Sequence, residues 1–513
     1  MSHAGTLTWF ARHELRLGWR DWLSMMTAGR RRRTRTVAIG LVLFVLFLHL
    51  VAYVMTAPFA NVGATPGTSM LVVITGTVLL SWSLMLSQAM ESVTRAFYAR
   101  ADLDLILSSP VAARRLFAVR IGAMALSTIA MATLLAAPFV NVLVVRDGLR
   151  WLGAYGVVAA MGLTATALAV ALTIALFRTI GPRRTRLIAQ IVAAVIGAAF
   201  VIGLQVGAIL SFGTLSRIAF LQSDTLLAYA PAADSIVWWP ARAILGDATA
   251  LAAVLAASMI LLGGAIAAFA PRFADHAIAA AGISNGSTGA VSGRAAFRRA
   301  SPMQALRRKE WTLLLRDPWL LSQTLMQLLY LMPPALLLWR SFASGDNAPA
   351  LLVPVVIMAA GQLAGGLAWL AISGEDAPNL IAAAPVSPRQ VTRAKIEAVM
   401  GSIAIVFAPF IAALAFASMI DAVVAATGIM VAAASASAIQ LWFRTQAKRS
   451  HFRRRQTSSR VATFAEALSS VCWAATGGLA AAGTWLAVAG AFVAVITLVG
   501  ARWLSPARSI RRV

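Results

Sequence analysis

Hydrophobic positions in this chain fall in long unbroken blocks instead of alternating with polar ones. Apolar runs of roughly 20 residues, the length that crosses about 30 Å of hydrocarbon, follow one another along nearly the whole sequence. They predict about twelve membrane spans. In the first half the apolar cores run from Val37 to Ala57, Met70 to Met90, Leu116 to Val144, Leu152 to Phe177, Leu187 to Leu210 and Ala248 to Ala270. In the second they run from Leu320 to Trp339, Ala350 to Ile372, Ala398 to Ala417, Val423 to Phe443, Val461 to Ala481 and Trp485 to Leu504.

A different pattern precedes each half. Arg12, Arg16 and Arg20 fall on one helical stripe while Leu7, Ala11, Leu15, Gly18 and Trp22 fall opposite, as in a helix lying in the membrane interface. Glu14, Arg20 and Asp21 recur with the same spacing as Glu310, Arg316 and Asp317. Each half is thus expected to begin with an amphipathic interfacial helix.

The polar stretches between spans carry a second repeat. Leu105-Ile106-Leu107-Ser108-Ser109-Pro110-Val111-Ala112-Ala113-Arg114-Arg115 returns about 275 residues later as Leu380-Ile381-Ala382-Ala383-Ala384-Pro385-Val386-Ser387-Pro388-Arg389-Gln390. Ala137-Pro138-Phe139 matches Ala408-Pro409-Phe410 inside the third span of each half, and Phe177-Arg178-Thr179 matches Phe443-Arg444-Thr445 at the end of the fourth. Equivalent points are six spans apart, so both halves face the same way. The expected fold is an all-α polytopic integral membrane protein, with two parallel six-helix pseudo-repeats, each behind its interfacial helix. The first half covers residues 1–280 and the second 301–513, joined by a Gly- and Ser-containing linker at 281–300.

Composition agrees with this picture. Hydrophobic residues make up 60% and charged residues 12% of the chain, with a mean hydropathy of +0.80. The net charge of +26 would suit nucleic acid, but the basic residues are split among short loops without interleaved stacking aromatics. Membrane topology accounts for them instead. With both termini in the cytosol, the inside loops collect Arg30 to Arg33, Arg114, Arg115, Arg183, Arg184, Arg186, Arg298, Arg299, Arg307, Arg308, Lys309, Arg389 and Arg453 to Arg455. The outside connections keep few, among them Arg146, Arg150, Arg217 and Arg242. The arginine-rich leader of over thirty residues and the full length of the first apolar run predict a retained helix, not a cleaved signal.

The repeated phrase is the first candidate site. Its leucines give a short apolar face, and Ser109-Pro110 or Ser387-Pro388 supplies an N-cap followed by proline at the first helical position. An apolar knob flanked by arginines on a cytosolic loop invites a soluble partner to cover it. An interfacial turn lying on the headgroups is the alternative.

Catalytic chemistry has no foothold in the pattern. No phosphate-cradling Gly-x-x-x-x-Gly-Lys-Ser/Thr loop occurs, and the three lysines, Lys309, Lys395 and Lys448, follow none. His3, His13, His49, His276 and His451 lack metal-ligand spacing, and the single cysteine, Cys472, has no partner for a disulfide. His49 reads as a helix-packing residue more readily than a proton relay. Glu466 is expected near the cytosolic interface, pairing or snorkelling there. Trp238-Trp239-Pro240 reads as part of an aromatic belt, and Gly162, Gly203, Gly207, Gly365 and Gly366 as points of close helix approach.

The leader Asp102-Leu103-Asp104 with the phrase after it, its echo from Glu375 through Arg389, and the plan of interfacial helix plus six spans resemble bacterial permease subunits of ATP-binding-cassette transporters of the type-2 exporter class. That resemblance implies a coupling helix between the second and third spans of each half, docking into an ATPase subunit. The coupling residues would be Leu105, Leu107, Ser109, Pro110, Arg114 and Arg115 in one half, and Leu380, Pro385, Ser387, Pro388 and Arg389 in the other. It further implies two copies of a separate ATPase that bind the ATP, no cofactor or catalytic residue in this chain, and a place in the bacterial inner membrane. A twelve-span ion-coupled carrier is the alternative, and a membrane-embedded lipid or glycan enzyme a third.

Overall fold

The computed structural model describes residues 12–13, 16–17, 19–20, 34–56, 67–98, 113–212, 221, 223–282, 301–316, 325, 329, 332–333, 336, 349–373, 381, 383–443 and 460–505. Among these there is no strand, and nine helices are long and apolar enough to cross a membrane. The chain is an all-α membrane-spanning protein. It divides into two compact units, Met1–Val291 and Ser292–Val513.

The first unit contains α1 (Thr34–Met55), α2 (Thr68–Tyr98), α3 (Ala113–Asp147), α4 (Gly153–Phe212), α5 (Asp224–Ala228), α6 (Trp239–Ile244) and α7 (Ala248–Gly282). α4 is its axis, with α2, α3 and α7 laid against it. Met90 of α2, Phe117 and Ile121 of α3, and Ile174 of α4 are fully buried in their shared core.

α4 is two spans joined by one residue. Gly181 takes φ 74°, a left-handed conformation that side-chain-bearing residues rarely adopt, and Pro182 then opens the second limb with its preset φ. Thr185 Oγ1 donates to the Gly181 carbonyl at 2.8 Å and secures the turn.

Trp238 departs from the expected aromatic belt. It is buried between α2 and the α5–α6 segment, and its indole N–H donates to the carbonyls of Pro231 (3.3 Å) and Ala232 (3.0 Å). A belt tryptophan faces lipid; this one staples an interhelical segment to the core.

The second unit contains α8 (Pro302–Arg316), α9 (Pro349–Ser373), α10 (Pro388–Ala417), α11 (Met419–Trp442), α12 (Arg460–Ala481) and α13 (Leu486–Leu504). α9 is its centre, buried over 78% of its apolar window, whereas α13, at 11%, stands at the edge. α10, α11 and α12 surround α9, and α13 lies along α12.

α9 meets α12 through Gly361 and Gly365, four residues apart, a spacing that lets two backbones approach closely. A β-carbon at Gly365 would stand 2.7 Å from Glu466 Oε2. Gly162 likewise admits Ile129 and Met85, whereas Gly203 faces open space and fulfils no such role. Pro138 lies inside α3 and Pro409 inside α10, so the matched prolines are both accommodated in helix interiors.

Three expected spans fall outside the nine. α1 is helical from Thr34 to Met55, with a shorter apolar stretch at Val45–Met55. The expected span from Leu320 to Trp339 lies almost wholly outside the described residues. α12 is helical from Arg460 to Ala481 but less apolar, because it carries Glu466, Ser469 and Ser470, all buried against neighbouring helices.

Candidate functional site

In the second unit the repeated phrase leads directly into a helix start. Ser387 accepts a hydrogen bond from the Gln390 amide (3.3 Å), and Gln390 Oε1 accepts one from the Ser387 amide (3.0 Å), a reciprocal capping box with Pro388 at the first helical position. Pro385, Ser387, Pro388 and Arg389 are all exposed. Ser301 and Gln304 form the same reciprocal box at the start of α8, at 3.3 and 3.2 Å. Both helices therefore open on Ser-Pro-x-Gln, a shared signal of which only the Ser387 copy was anticipated.

α8 lies against α10 through one stripe, Arg307, Glu310, Trp311 and Leu314, the i, i+3, i+4, i+7 positions of a helix face. Arg307 grips Glu397 of α10 with two hydrogen bonds, Nε to Oε2 at 2.6 Å and Nη2 to Oε1 at 3.1 Å. Arg393, one turn earlier on α10, reaches the same carboxylate at 2.8 Å. Trp311 fills the notch left by Gly401, where a β-carbon would stand 2.8 Å from the indole ring. Leu314 is buried in the core of the unit.

A buried ion pair lies beneath this surface. Glu310 Oε1 stands 3.1 Å from Lys395 Nζ and 3.3 Å from Lys309 Nζ. Lys395 also donates to the carbonyl of Ala371, near the end of α9. Lys395 thus joins three elements: α8, the last turns of α9, and α10. Two charges withdrawn from water are stable only when so paired and bonded. Beside this junction, and sharing Arg393 and Glu397 with it, Pro388, Arg389, Thr392, Arg393, Ile396 and Glu397 line an open groove of about 480 Å³ along α10.

The other expected site residues are distributed as follows. Leu105, Leu107, Ser109, Pro110, Leu380, Glu14, Asp21 and Asp317 lie outside the described residues. Arg114 and Arg115 are in the first turn of α3, which begins at Ala113, and Arg115 is exposed. Arg20 is helical and exposed, and Arg316 is the last residue of α8. Glu310, expected as a surface charge of an interfacial helix, is 1% exposed and turned toward Lys395. Arg307, Trp311, Arg393, Lys395 and Glu397 were not anticipated. Their signal was the position of two of the three lysines, Lys309 and Lys395, against the charged segment, but charge spacing names no partner 85 residues away.

Two further titratable groups, on α12 and α1, have partners within the protein. Glu466 is buried and accepts a hydrogen bond from Gln440 Nε2 of α11, so it pairs and does not snorkel. His49 contacts the Val45 carbonyl through Nδ1 at 2.8 Å and Asn141 Nδ2 through Nε2 at 3.4 Å. Compared with known protein families, curated proteins and solved structures, the chain matches none of them.

Proposed function

We propose that this chain is the transmembrane permease subunit of an ATP-driven transporter, an exporter working by alternating access in the bacterial inner membrane with both termini cytosolic. Its two six-span halves, each behind an interfacial helix, form the membrane part. Two copies of a separate ATPase dock on the phrases between the second and third spans, at Leu105 to Arg115 and Leu380 to Gln390.

The observation that carries this reading is the junction of α8 and α10. A docking loop transmits force only if its exit helix is stiff and anchored. The end of the phrase, where Pro385 and Ser387 are exposed, leads into a capped helix, and that helix is fixed to α8 by Arg307–Glu397 and Glu310–Lys395. The adjoining groove offers a partner Pro388 and Ile396 as apolar contacts beside the charges of Arg389 and Arg393. A push on the phrase then moves the interfacial helix and the third span of its half together.

The test is co-purification with an ATPase encoded beside this chain. Changing Leu107 and Leu380 to Asp should abolish the complex while leaving the permease folded, and retained binding would overturn the docking assignment. An ion-coupled carrier is the second reading, and buried Glu466 with its Gln440 partner is what favours it. Proton-driven uptake by the chain alone in vesicles would establish that alternative.

A further inference from the structure

One group of polar side chains in the first unit belongs to neither the junction nor the core. Toward the C-terminal ends of α1 and α3, a hydrogen-bonded chain runs across three helices. Tyr155 of α4 donates to Asn141 Oδ1 of α3 at 2.6 Å. Asn141 Nδ2 in turn meets His49 Nε2 of α1 at 3.4 Å. The Val45 carbonyl can only accept, so His49 carries its proton on Nδ1 and accepts at Nε2. Asn141 is exposed, although six residues, about 9 Å along the helix axis, separate it from the end of α3 at Asp147.

Above this chain, toward the helix ends, Arg146 stacks its guanidinium 3.5 Å from the ring centre of Tyr53. The other described arginines here have carboxylate partners: Arg150 pairs with Asp147, and Arg242 stands 3.6 Å from Asp247. Among the described residues Arg146 has none. Around it Leu50, Val54, Val145 and Leu149 are all exposed. An unpaired cation over a polar notch, inside a surface otherwise suited to acyl chains, complements a molecule with an anionic head and an apolar tail.

We propose that Arg146, Tyr53, Asn141 and Tyr155 form a binding site for an anionic phospholipid seated in the bilayer. Arg146 takes the phosphate, held over Tyr53. The Asn141–Tyr155 pair, oriented by His49, presents polar atoms to the glycerol and ester groups below the phosphate, and the acyl chains lie along Leu46 and Leu50. The inference is independent of the ATPase-docking proposal.

The test uses the full chain in phosphatidylcholine bilayers containing a minor fraction of phosphatidylglycerol, extracted into detergent and examined by native mass spectrometry for retained phosphatidylglycerol. Arg146→Gln should lower retention about fivefold, the usual contribution of one basic residue to anionic-lipid binding. Arg146→Lys should keep most of it, and Arg242→Gln, whose arginine has a carboxylate partner, should not change it. Unchanged retention in a normally folded Arg146→Gln protein overturns the site, as does equal loss in Arg146→Lys. The wild-type chain gives a check that needs no variant, because rising ionic strength should weaken retention. Salt-independent retention, or displacement by inorganic phosphate as effective as by phosphatidylglycerol, overturns it.

Discussion

Lys395 and Glu310 meet at 3.1 Å where only 6% of the lysine and 1% of the glutamate remain exposed, and the same ammonium holds the Ala371 carbonyl. Removing one member leaves the other charged and buried. Glu310→Leu, which strips the buried Lys395 ammonium of its carboxylate, should therefore cost about 3 kcal/mol of stability. The double variant Glu310→Leu, Lys395→Met should recover most of it, since a well-filled apolar contact replaces the pair at little cost. Denaturation of both proteins in the same detergent measures the difference.

The start of α10 depends on a local device. Ser387→Ala removes the acceptor for the Gln390 amide and should cost about 1 kcal/mol, read as faster hydrogen exchange in the first turn of α10. Gln390→Ala added to it should contribute less than it does alone, because the two side chains form one reciprocal cap.

Gly401 and Trp311 make a steric pair. A β-carbon at residue 401 meets the indole at 2.8 Å, so Gly401→Val should force α8 away from α10 and lower stability by about 1–3 kcal/mol. Trp311→Leu in the same chain should return part of the loss, and a double-mutant cycle on thermal unfolding would show the coupling.

Asp247, in the turn before α7, gives a pH dependence of known sign. Its carboxylate accepts from the Thr249 hydroxyl (2.6 Å) and from the amides of Ala250 (3.1 Å) and Thr249 (3.0 Å), with Arg242 nearby. These bonds, the Thr249 hydroxyl first, hold its pKa below the ordinary 3.8. The unfolded chain then binds the proton more readily, so this stabilisation is complete above the unfolded pKa and is lost as pH falls through the folded one. Asp247→Asn keeps a capping acceptor but should remove that acid-side dependence, measured as melting temperature against pH below 5.

What the sequence makes legible here is local or massive. The apolar blocks mark α2, α3, both limbs of α4, α7, α9, α10, α11 and α13, because span length is a bulk property of composition. Ser387-Pro388 marks the start of α10, because a cap is built from four neighbouring residues. Residues whose role depends on a distant partner are not legible in this way. Glu310 looks like a surface charge until Lys395 is placed beside it, and Trp238 looks like a belt residue until the carbonyls of Pro231 and Ala232 are seen to meet its N–H. α12 is less apolar than its neighbours because it carries Glu466, Ser469 and Ser470, and the Gln440 amide that holds Glu466 across a helix contact is not registered by hydropathy.

Lys395 reaches back 24 residues to Ala371, so the chain between them is stapled at its base before its tip is considered. The exposed tip around Pro385 is a tolerant insertion point: an epitope or affinity tag placed there leaves both footings, and hence the membrane bundle, as they were. A graft of that kind would turn this segment into a handle for capturing the intact protein from the membrane.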